Sequence, residues 1–198
     1  RQGDEVTALV RSPGKASLLN ELGVRQVRGD LHAPDALRAA ISGQDVIYHV
    51  AGLVAARDNA EFLAGNRDGT ANLIAAADGA TPRFILVSSM AAGGPAARGR
   101  PLTGDEAPAP VTMYGRSKLA GEEVVRRSVL PWTILRPPMV YGPRDTEVLK
   151  VFRIARGGIV PVFGDGSQEL SAIYGPDLAD ALVAAGRSTA AIGHTYYA

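Results

Sequence analysis

Short apolar runs alternate with segments of helical periodicity along the first 135 residues. The runs predict strands at residues 6–10, 24–27, 45–50, 84–87 and 132–135. Between them, helices are predicted at 16–22, 34–41, 59–77 and 112–127, and in the third of these, positions 62, 66, 70, 73 and 77 fall on one face at 3.6-residue spacing. Near-continuous apolar strands that alternate with helices are typical of a parallel sheet covered on both faces. The pattern therefore predicts an α/β fold with a Rossmann-like, doubly wound parallel sheet.

The regular alternation loosens after residue 140, where Gly and Pro become dense and one further helix is predicted at 176–185. We expect residues 1–140 to form a dinucleotide-binding, Rossmann-like domain and residues 141–198 to form mostly a substrate-binding lobe, with a peripheral decoration as the alternative. Residues 91–109 are small and rich in Gly and Pro, which predicts a mobile loop.

Both ends of the sequence have the pattern of interrupted elements. Residues 1–4 resemble the end of a helix, with basic Arg1 in the last turn and Gly3 in the left-handed cap position. Residues 194–198 resemble a strand that stops in the middle. We therefore expect a helix before residue 1 and a longer protein around this fragment.

Composition excludes several classes of function. Apolar residues make up 46% and charged residues 21% of the chain, and the net charge is +1, so nothing indicates a nucleic-acid or membrane-surface partner. No apolar run approaches the roughly 20 residues that cross a bilayer. The absence of cysteine excludes disulfides and thiolate chemistry, and fits a cytoplasmic protein. The three histidines lack ligand spacing, so no metal site is expected, and His49 is interpreted as a core residue.

Candidate chemistry centres on Tyr114 and Lys118, which are four residues apart on a predicted helix and so share one face. A lysine ammonium beside a phenol favours the phenolate, which makes Tyr114 a usable general acid and base. The strand at 84–87 ends in Ser88 and Ser89, at the carboxyl edge where open α/β sheets bind ligands. A hydroxyl there could hydrogen-bond a substrate oxygen beside Tyr114, although serines are also common in turns.

These residues together resemble the extended short-chain dehydrogenases/reductases, which include NAD-dependent epimerases/dehydratases, 3β-hydroxysteroid dehydrogenases and dihydroflavonol reductases. The resemblance lies in Tyr114-Gly-Arg-Ser-Lys118, Ser88-Ser89, the segment 135–143 and Gly29-Asp30-Leu31. It implies that Tyr114 is the catalytic acid and base, that Lys118 tunes it and holds the nicotinamide ribose, and that Ser89 orients the substrate oxygen, with Ser88 as the fallback. Gly93 replaces the aromatic residue usual four positions after that serine.

The resemblance also implies a set of cofactor-binding positions. Asp30 and Leu31 would lie at the adenine, Pro137 beside the nicotinamide amide, and Ser88, Tyr114 and Lys118 at the nicotinamide end. Val50, Ala51 and Gly52 would form a loop passing close to the cofactor, where a simple small-residue turn is the alternative. Asn66 matches an Asn-x-x-Gly-Thr helix motif, although it could be an ordinary polar residue on a helix face.

The sequence also departs from the family pattern. The glycine-rich phosphate loop is absent, and in the family it precedes the helix expected to end at Gly3. Without it the pyrophosphate lacks a helix N-terminus. Glu169 and Leu170 stand where an arginine for a nucleotide diphosphate is frequent, which disfavours a nucleotide-sugar substrate. Tyr174 replaces a common His, and Asp177 is expected to cap the following helix.

The basic end of the first strand bears on cofactor choice. An acidic residue at the end of the second Rossmann strand selects NAD, whereas arginine accommodates the 2′-phosphate of NADP. The strand at 6–10 is taken as this second strand, because the sequence lacks the first strand of the family pattern. Arg11 and Ser12 follow it, with Lys15 close behind and no acidic residue. This pattern favours NADP, with NAD as the runner-up; a solvated basic strand end is the alternative interpretation.

The expected function is hydride transfer at a hydroxyl or carbonyl carbon of a small molecule. A reductase or dehydrogenase acting on a hydroxylated or sugar-like compound is favoured, with a nucleotide-sugar epimerase or dehydratase close behind. A non-catalytic NADP-binding scaffold or redox sensor and an interaction module with a decayed site remain open. The resemblance also implies a possible homodimer.

Overall fold

The computed structural model describes residues 3–77, 79–104, 106–158 and 165–198. Eight strands lie within these ranges: β1 (Thr7–Val10), β2 (Arg25–Arg28), β3 (Val46–His49), β4 (Arg83–Val87), β5 (Trp132–Arg136), β6 (Met139–Tyr141), β7 (Ala172–Tyr174) and β8 (Thr195–Tyr197). The α-helices are α1 (Ser17–Glu21), α2 (Pro34–Ile41), α3 (Asn59–Leu63), α4 (Gly69–Ala76), α5 (Met90–Gly93), α6 (Met113–Arg126), α7 (Glu147–Arg156) and α8 (Gly175–Arg187). A π-helical segment, Ala64–Asp68, joins α3 to α4.

All strand pairs between these elements are parallel, which confirms the predicted α/β class. The main sheet has the order β3-β4-β5-β8, while β1 pairs with β2 and β6 pairs with β7. A doubly wound order of 3-2-1-4-5-6 has one more strand between the positions taken here by β1 and β3. The expectation of a further element before residue 1 stays a prediction, and Arg1 and Gln2 lie outside the described residues.

Alternate residues of β4 pack into two separate hydrophobic cores, one on each face of the sheet. Phe84 and Leu86 pack with residues of α2, α4 and α6 on one face of the sheet. Ile85 packs with Leu178 and Ala185 of α8 on the other face. Because successive strand residues point to opposite faces, a strand covered on both faces must be apolar throughout. Burying a side chain of this size stabilises the fold by roughly 1.5–3 kcal/mol.

Part of the C-terminal region joins the main sheet, while the substrate-binding lobe predicted mostly at residues 141–198 stays a prediction. Helix α8 packs on the main sheet, and β8 extends it by pairing with β5, so residues 175–198 belong to the body of the fold. The β6–β7 pair and α7 were not predicted, because short strands in a Gly- and Pro-rich region give little periodicity. The strand predicted at 194–198 is confirmed as β8.

Two local expectations need correction. Asp177 is not the N-cap of α8: Tyr174 occupies that position, and Asp177 lies within the first turn, where its charge still favours the helix N-terminus. Residues 91–109 are not wholly irregular, because α5 covers Met90–Gly93. None of the helices in the described ranges combines the length and apolar character needed to cross a membrane.

Candidate active site

The candidate site lies where β3, β4 and β5 end at one edge of the main sheet. The parallel registers bring the segments after His49, Val87 and Arg136 to this edge. Backbone hydrogen bonds join them: Ser88 N donates to Leu135 O at 2.7 Å, and Met90 N donates to Pro137 O at 3.0 Å. The sheet thus brings together the predicted loop at Gly52, the Ser88-Ser89 pair and Pro137, as open α/β sheets do at their ligand edge.

Helix α6 directs Lys118 to the end of β4. Lys118 is buried, and its Nζ donates to the backbone carbonyl of Val87 at 2.7 Å. Burial lowers the pKa of Lys118 to about 8, while the charge of Glu122 acts in the opposite direction. The ammonium is therefore fixed at Val87, the residue directly before Ser88 and Ser89.

Tyr114 occupies the first turn of α6, four residues before Lys118. Thr112 caps this turn, since its hydroxyl oxygen accepts from Gly115 N at 2.9 Å. Gly115 is buried against the carbonyl of Ala91, where a Cβ would overlap that carbonyl. This close approach places the half-buried Tyr114 beside α5, and its ring centroid lies 6.1 Å from that of Phe62.

The two serines have different surroundings. Ser88 is buried, and its hydroxyl donates to Glu122 Oε1 at 2.5 Å. Ser89 is half-buried and is the N-cap of α5, where its Oγ accepts from Ala91 N at 3.2 Å. As an acceptor there, Ser89 keeps its hydroxyl proton for another partner. The structure therefore turns Ser88 toward the protein interior and leaves Ser89 at the sheet edge.

Asn66 joins the helix layer to the loop after β3. Its Oδ1 accepts from Leu53 N at 2.7 Å, and its Nδ2 donates to Leu53 O and to Ser117 Oγ, both at 2.9 Å. Asn66 lies inside the π-helical segment, whose wider turn leaves the Asn66 carbonyl accepting from Thr70 Oγ1 at 2.7 Å. π-Bulges are frequent at functional sites.

His49 is a buried neighbour of Lys118 that the sequence suggested only as a core residue. Its Nε2 lies 2.9 Å from Thr70 Oγ1. Because the Thr70 hydroxyl donates to the Asn66 carbonyl, Nε2 is assigned as the donor to Thr70. Burial lowers the pKa of His49 to about 3, and the charge of Lys118 adds to this effect. His49 is therefore neutral at physiological pH.

The other predicted cofactor positions are spread over two regions. Arg11 and Ser12 are exposed beyond the end of β1, while the side chain of Lys15 lies outside the described part. Asp30 accepts from His32 N at 2.8 Å. Leu31 packs against Gly69, which the resemblance did not imply, and its carbonyl accepts from Asn72 Nδ2 at 2.9 Å.

The loop after β3 is open except at its glycine. Val50 and Ala51 are exposed. A Cβ on Gly52 would lie 2.9 Å from Asn66 Oδ1 and 3.4 Å from Lys118 Nζ. The absence of a side chain at Gly52 therefore lets the loop approach both polar groups. Within the described ranges, no cluster of three or more His, Asp or Glu side chains is arranged to hold a metal ion.

Gly52→Ala is expected to lower the free energy of unfolding by about 1–3 kcal/mol, because the new methyl group must displace Asn66 from its bonds to Leu53. Urea denaturation would measure the loss. Gly14→Ala is the matched control, since a Cβ on the exposed Gly14 meets nothing within 4 Å. Equal stabilities of the two variants would contradict the close packing at Gly52.

Lys118→Met is expected to remove a pH dependence of stability. The folded pKa of Lys118 is about 8 against 10.5 unfolded, so between these values the unfolded chain binds more protons and stability rises with pH. From pH 8 to 10 the free energy of unfolding of the parent should gain about 2 kcal/mol relative to Lys118→Met. Urea denaturation across this range measures it, and parallel curves would contradict a buried Lys118.

Two charged residues at this edge were not predicted as part of a site. Glu122 and Arg136 are both buried, and the Arg136 guanidinium donates to both Glu122 oxygens, at 2.9 and 2.7 Å. The available signal was Glu122 lying four residues beyond Lys118, with an arginine ending the apolar strand β5.

Known proteins resemble most of this chain. The family model for the NAD dependent epimerase/dehydratase family matches residues 1–197. The ceramide reductase of Caulobacter vibrioides is 39% identical over 177 residues, which is 89% of this chain and 51% of that protein. The 4-hydroxy-2-methyl-3-oxo-4-farnesyl-3,4-dihydroquinoline-1-oxide ketoreductase of Stigmatella aurantiaca is 34% identical over 158 residues, 75% of this chain and 46% of that protein.

The chain spans about half the length of these curated relatives. Among solved structures, UDP-glucuronic acid 4-epimerase from Bacillus cereus in complex with NAD matches with a TM-score of 0.85 and 24% identity, over 100% of this chain and 71% of that one. This likeness shows that the Rossmann-like fold is shared.

Proposed function

The chain belongs to the NAD-dependent epimerase/dehydratase family, and on that premise we propose that it forms the cofactor-binding and catalytic part of an NADP-dependent carbonyl reductase. The substrate proposed is a ketone attached to a hydrocarbon chain. Tyr114, Lys118 and Ser89 are the proposed catalytic centre.

The observation that supports this centre best is the placement of Lys118. Its ammonium is bonded to the last carbonyl of β4, directly before Ser88 and Ser89, and it follows Tyr114 by one helical turn. A lysine bonded to a main-chain carbonyl is held in one position, so its charge acts on a fixed point of the sheet edge. That point is where a substrate oxygen would meet the Tyr114 hydroxyl.

In the proposed reduction, each residue has one task. NADPH, when bound, would supply the hydride for the carbonyl carbon. Tyr114 donates its phenolic proton to the carbonyl oxygen as negative charge develops there. Lys118 stabilises the resulting phenolate, and the Ser89 hydroxyl donates a hydrogen bond that orients the same oxygen.

Several residues fit a dinucleotide at this edge. Gly52 has no side chain beside Lys118, so backbone can approach a ligand there. At the far end Arg11 is exposed beyond β1 and can face a 2′-phosphate. Arg11 and Ser12 would hold the adenosine end, and Lys118 and Pro137 the nicotinamide end.

The proposed substrate class draws on the two curated relatives. Their names describe reductases of ceramide and of a farnesyl-bearing ring, and both substrates contain hydrocarbon chains. Met139, Val140 and Tyr141, which follow β5 at the ligand edge, are large apolar residues exposed by 37–47%. This surface fits a hydrocarbon chain better than the sugar-like compound favoured by the sequence motifs.

Thermal unfolding of the full-length protein with NADP⁺ and with NAD⁺ tests the cofactor. At a hundred times the dissociation constant, NADP⁺ should add about 2.7 kcal/mol of stability and raise the midpoint by several degrees. Arg11→Ala should weaken NADP⁺ binding roughly tenfold or more, because a charge-assisted bond is lost, and leave NAD⁺ binding unchanged. Arg127→Ala, which changes another exposed arginine, is the control.

Stabilisation by NAD⁺ alone would contradict the assignment of NADP and favour an epimerase or dehydratase. Stabilisation by neither would contradict the proposed function and leave a protein that has the fold without its cofactor.

A further inference from the structure

The Glu122–Arg136 pair is a fully buried ion pair with no role in the chemistry proposed above. Glu122 is 0% exposed and Arg136 is 2% exposed. Burying two charges costs solvation energy that their attraction often fails to recover, so such a pair is weak evidence for stability alone. Its other contacts show what it could do.

Glu122 and Lys118 bind two consecutive residues at the end of β4. Lys118 Nζ donates to Val87 O at 2.7 Å, and one turn further along α6 Glu122 Oε1 accepts from Ser88 Oγ at 2.5 Å. Tyr114, Lys118 and Glu122 are spaced by four residues and so lie on one stripe of the helix. The stripe with the proposed acid and base is thus bonded twice to the strand that leads into Ser89.

The same carboxylate is anchored to the neighbouring strands. Arg136, the last residue of β5, donates to both Glu122 oxygens and, through Nη1, to Tyr197 Oη of β8 at 2.9 Å. Arg126 Nη2 donates to Glu122 Oε2 at 2.9 Å and to Thr195 Oγ1 of β8 at 3.1 Å. These bonds join the carboxylate directly to β5 and, through the two arginines, to β8.

Tyr197 also supports the helix that Ser89 caps. Its hydroxyl lies beside Gly93, the last residue of α5, where a Cβ would overlap it. Arg136 Nη1 would lie 3.3 Å from that Cβ. Glycine in place of the usual aromatic residue therefore makes room for the Arg136–Tyr197 contact, which lies directly against the short helix that begins at Ser89.

We propose that Glu122 is a positioning residue: with Lys118 it forms a two-point clamp that holds α6 in register with the end of β4, and so holds Tyr114 and Ser89 at a fixed separation. The reaction that the clamp serves is the proposed reduction. Without the carboxylate, Ser88 loses its acceptor, and the buried Arg136 loses the charge that compensates it.

The clamp has an electrostatic consequence for Lys118. Glu122 on the same helix and His49 on β3 interact electrostatically with this ammonium, and Tyr114 precedes it by one helical turn. Glu122 is the negative charge among them, and it raises the pKa of Lys118 against the effect of burial. Removing that charge should lower the pKa of Lys118 below about 8, so the Lys118 ammonium should lose its proton at lower pH.

The test uses three variants of the full-length protein with NADPH bound. Glu122→Gln removes the charge, Ser88→Ala removes the link to β4, and Glu122→Leu with Arg136→Met replaces the pair by apolar side chains, a change that often leaves stability intact. Glu123→Gln, at the exposed neighbouring position, is the control. The readouts are kcat, the KM for NADPH, amide hydrogen exchange of residues 88–92, and the titration of ¹³C-labelled lysine.

The Lys118 signal is identified by its loss in Lys118→Met. Glu122→Gln should lower the Lys118 pKa, lower kcat by about tenfold or more and leave the KM for NADPH within about twofold. Ser88→Ala and the double variant should speed exchange at 88–92 and lower kcat similarly, the double variant with its midpoint near that of the parent.

Unchanged exchange at residues 88–92 together with an unchanged Lys118 pKa would overturn the clamp, whatever the activity. Parental kcat in both Ser88→Ala and the stable double variant would also overturn it. Another outcome is that the parent shows no turnover while hydrogen exchange and the Lys118 pKa respond in the variants as expected. That result would contradict reduction as the function and would support the clamp as a structural feature of the fold.

Discussion

Replacement of Tyr114 by phenylalanine is expected to lower kcat by roughly 10²- to 10⁴-fold, the range that positioned general acids contribute. The phenolic proton is the one that the proposed reduction delivers to the substrate oxygen. Phenylalanine keeps the ring, which contacts Phe62, and the helix cap by Thr112 does not involve the side chain. Cofactor-dependent stabilisation should therefore survive while turnover is lost.

The measurement is steady-state NADPH oxidation with a long-chain 3-oxo ester or ketoamide, alongside the thermal shift with NADP⁺. Tyr196→Phe is the matched control, because Tyr196 is 44% exposed on β8 and contacts His194. Parental turnover in Tyr114→Phe would remove Tyr114 from the chemistry. Loss of the thermal shift as well would mean that the substitution had damaged the cofactor site.

His49 is expected to make the fold sensitive to acid. The pKa of His49 is about 3 in the folded protein and 6.5 in the unfolded chain. Between these pH values the imidazole is protonated in the unfolded chain and neutral in the folded protein. Stability is therefore present above the unfolded pKa and is lost as the pH falls toward the folded value. From pH 7 to pH 4 the loss from this group is about 3 kcal/mol, a large share of the 5–15 kcal/mol typical of a domain.

Urea denaturation at pH 4 and pH 7 compares the parent with His49→Leu. The variant should be less stable at pH 7, because Thr70 loses its donor, yet its acid loss should be smaller by about 3 kcal/mol. Thr70→Val is the control, because it removes the hydrogen-bond partner and keeps the titrating ring. Equal acid losses in the parent and His49→Leu would contradict the assignment of a buried neutral imidazole.

The sheet could be predicted because burial on both faces leaves a strong mark in a sequence. Strand β4 has no polar residue between Phe84 and Val87, and its alternate side chains enter two different cores. In β5, Ile134 and Leu135 likewise enter the two different cores, although the buried Thr133 is polar. A strand of this kind has a local sequence pattern, so it can be predicted without knowing which strands pair with it.

The helix predicted at 59–77 shows where local information ends. The chain is helical across this region, but Ala64–Asp68 widens into a π-turn. That turn is accompanied by contacts made elsewhere: Asn66 bonds to Leu53 and Ser117, and Gly121 of α6 approaches so closely that a Cβ would lie 2.6 Å from the Asn66 carbonyl. The periodicity of the sequence does not reveal such tertiary contacts, so it does not predict the π-helical segment.

Only the part of the site that depends on local spacing could be predicted. Tyr114 and Lys118 share a helix face by spacing alone, so their pairing was readable. Ser88 and Ser89 are adjacent, and the sequence could not tell which faces the interior. The structure distinguishes them through Glu122, whose burial depends on Arg136 arriving from β5. A buried ion pair that joins distant segments has no local signature.

Transfer of deuterium from 4-deuterated NADPH to a ketone on a hydrocarbon chain tests the central claim most directly. The full-length protein would be incubated with the labelled cofactor and long-chain 3-oxo substrates, and the alcohols analysed by mass spectrometry. We expect one deuterium on the new carbinol carbon in the parent and none in Tyr114→Phe. If the parent binds NADPH and gives no labelled alcohol from any of these ketones, while Tyr114→Phe binds equally well, carbonyl reduction at Tyr114 is contradicted.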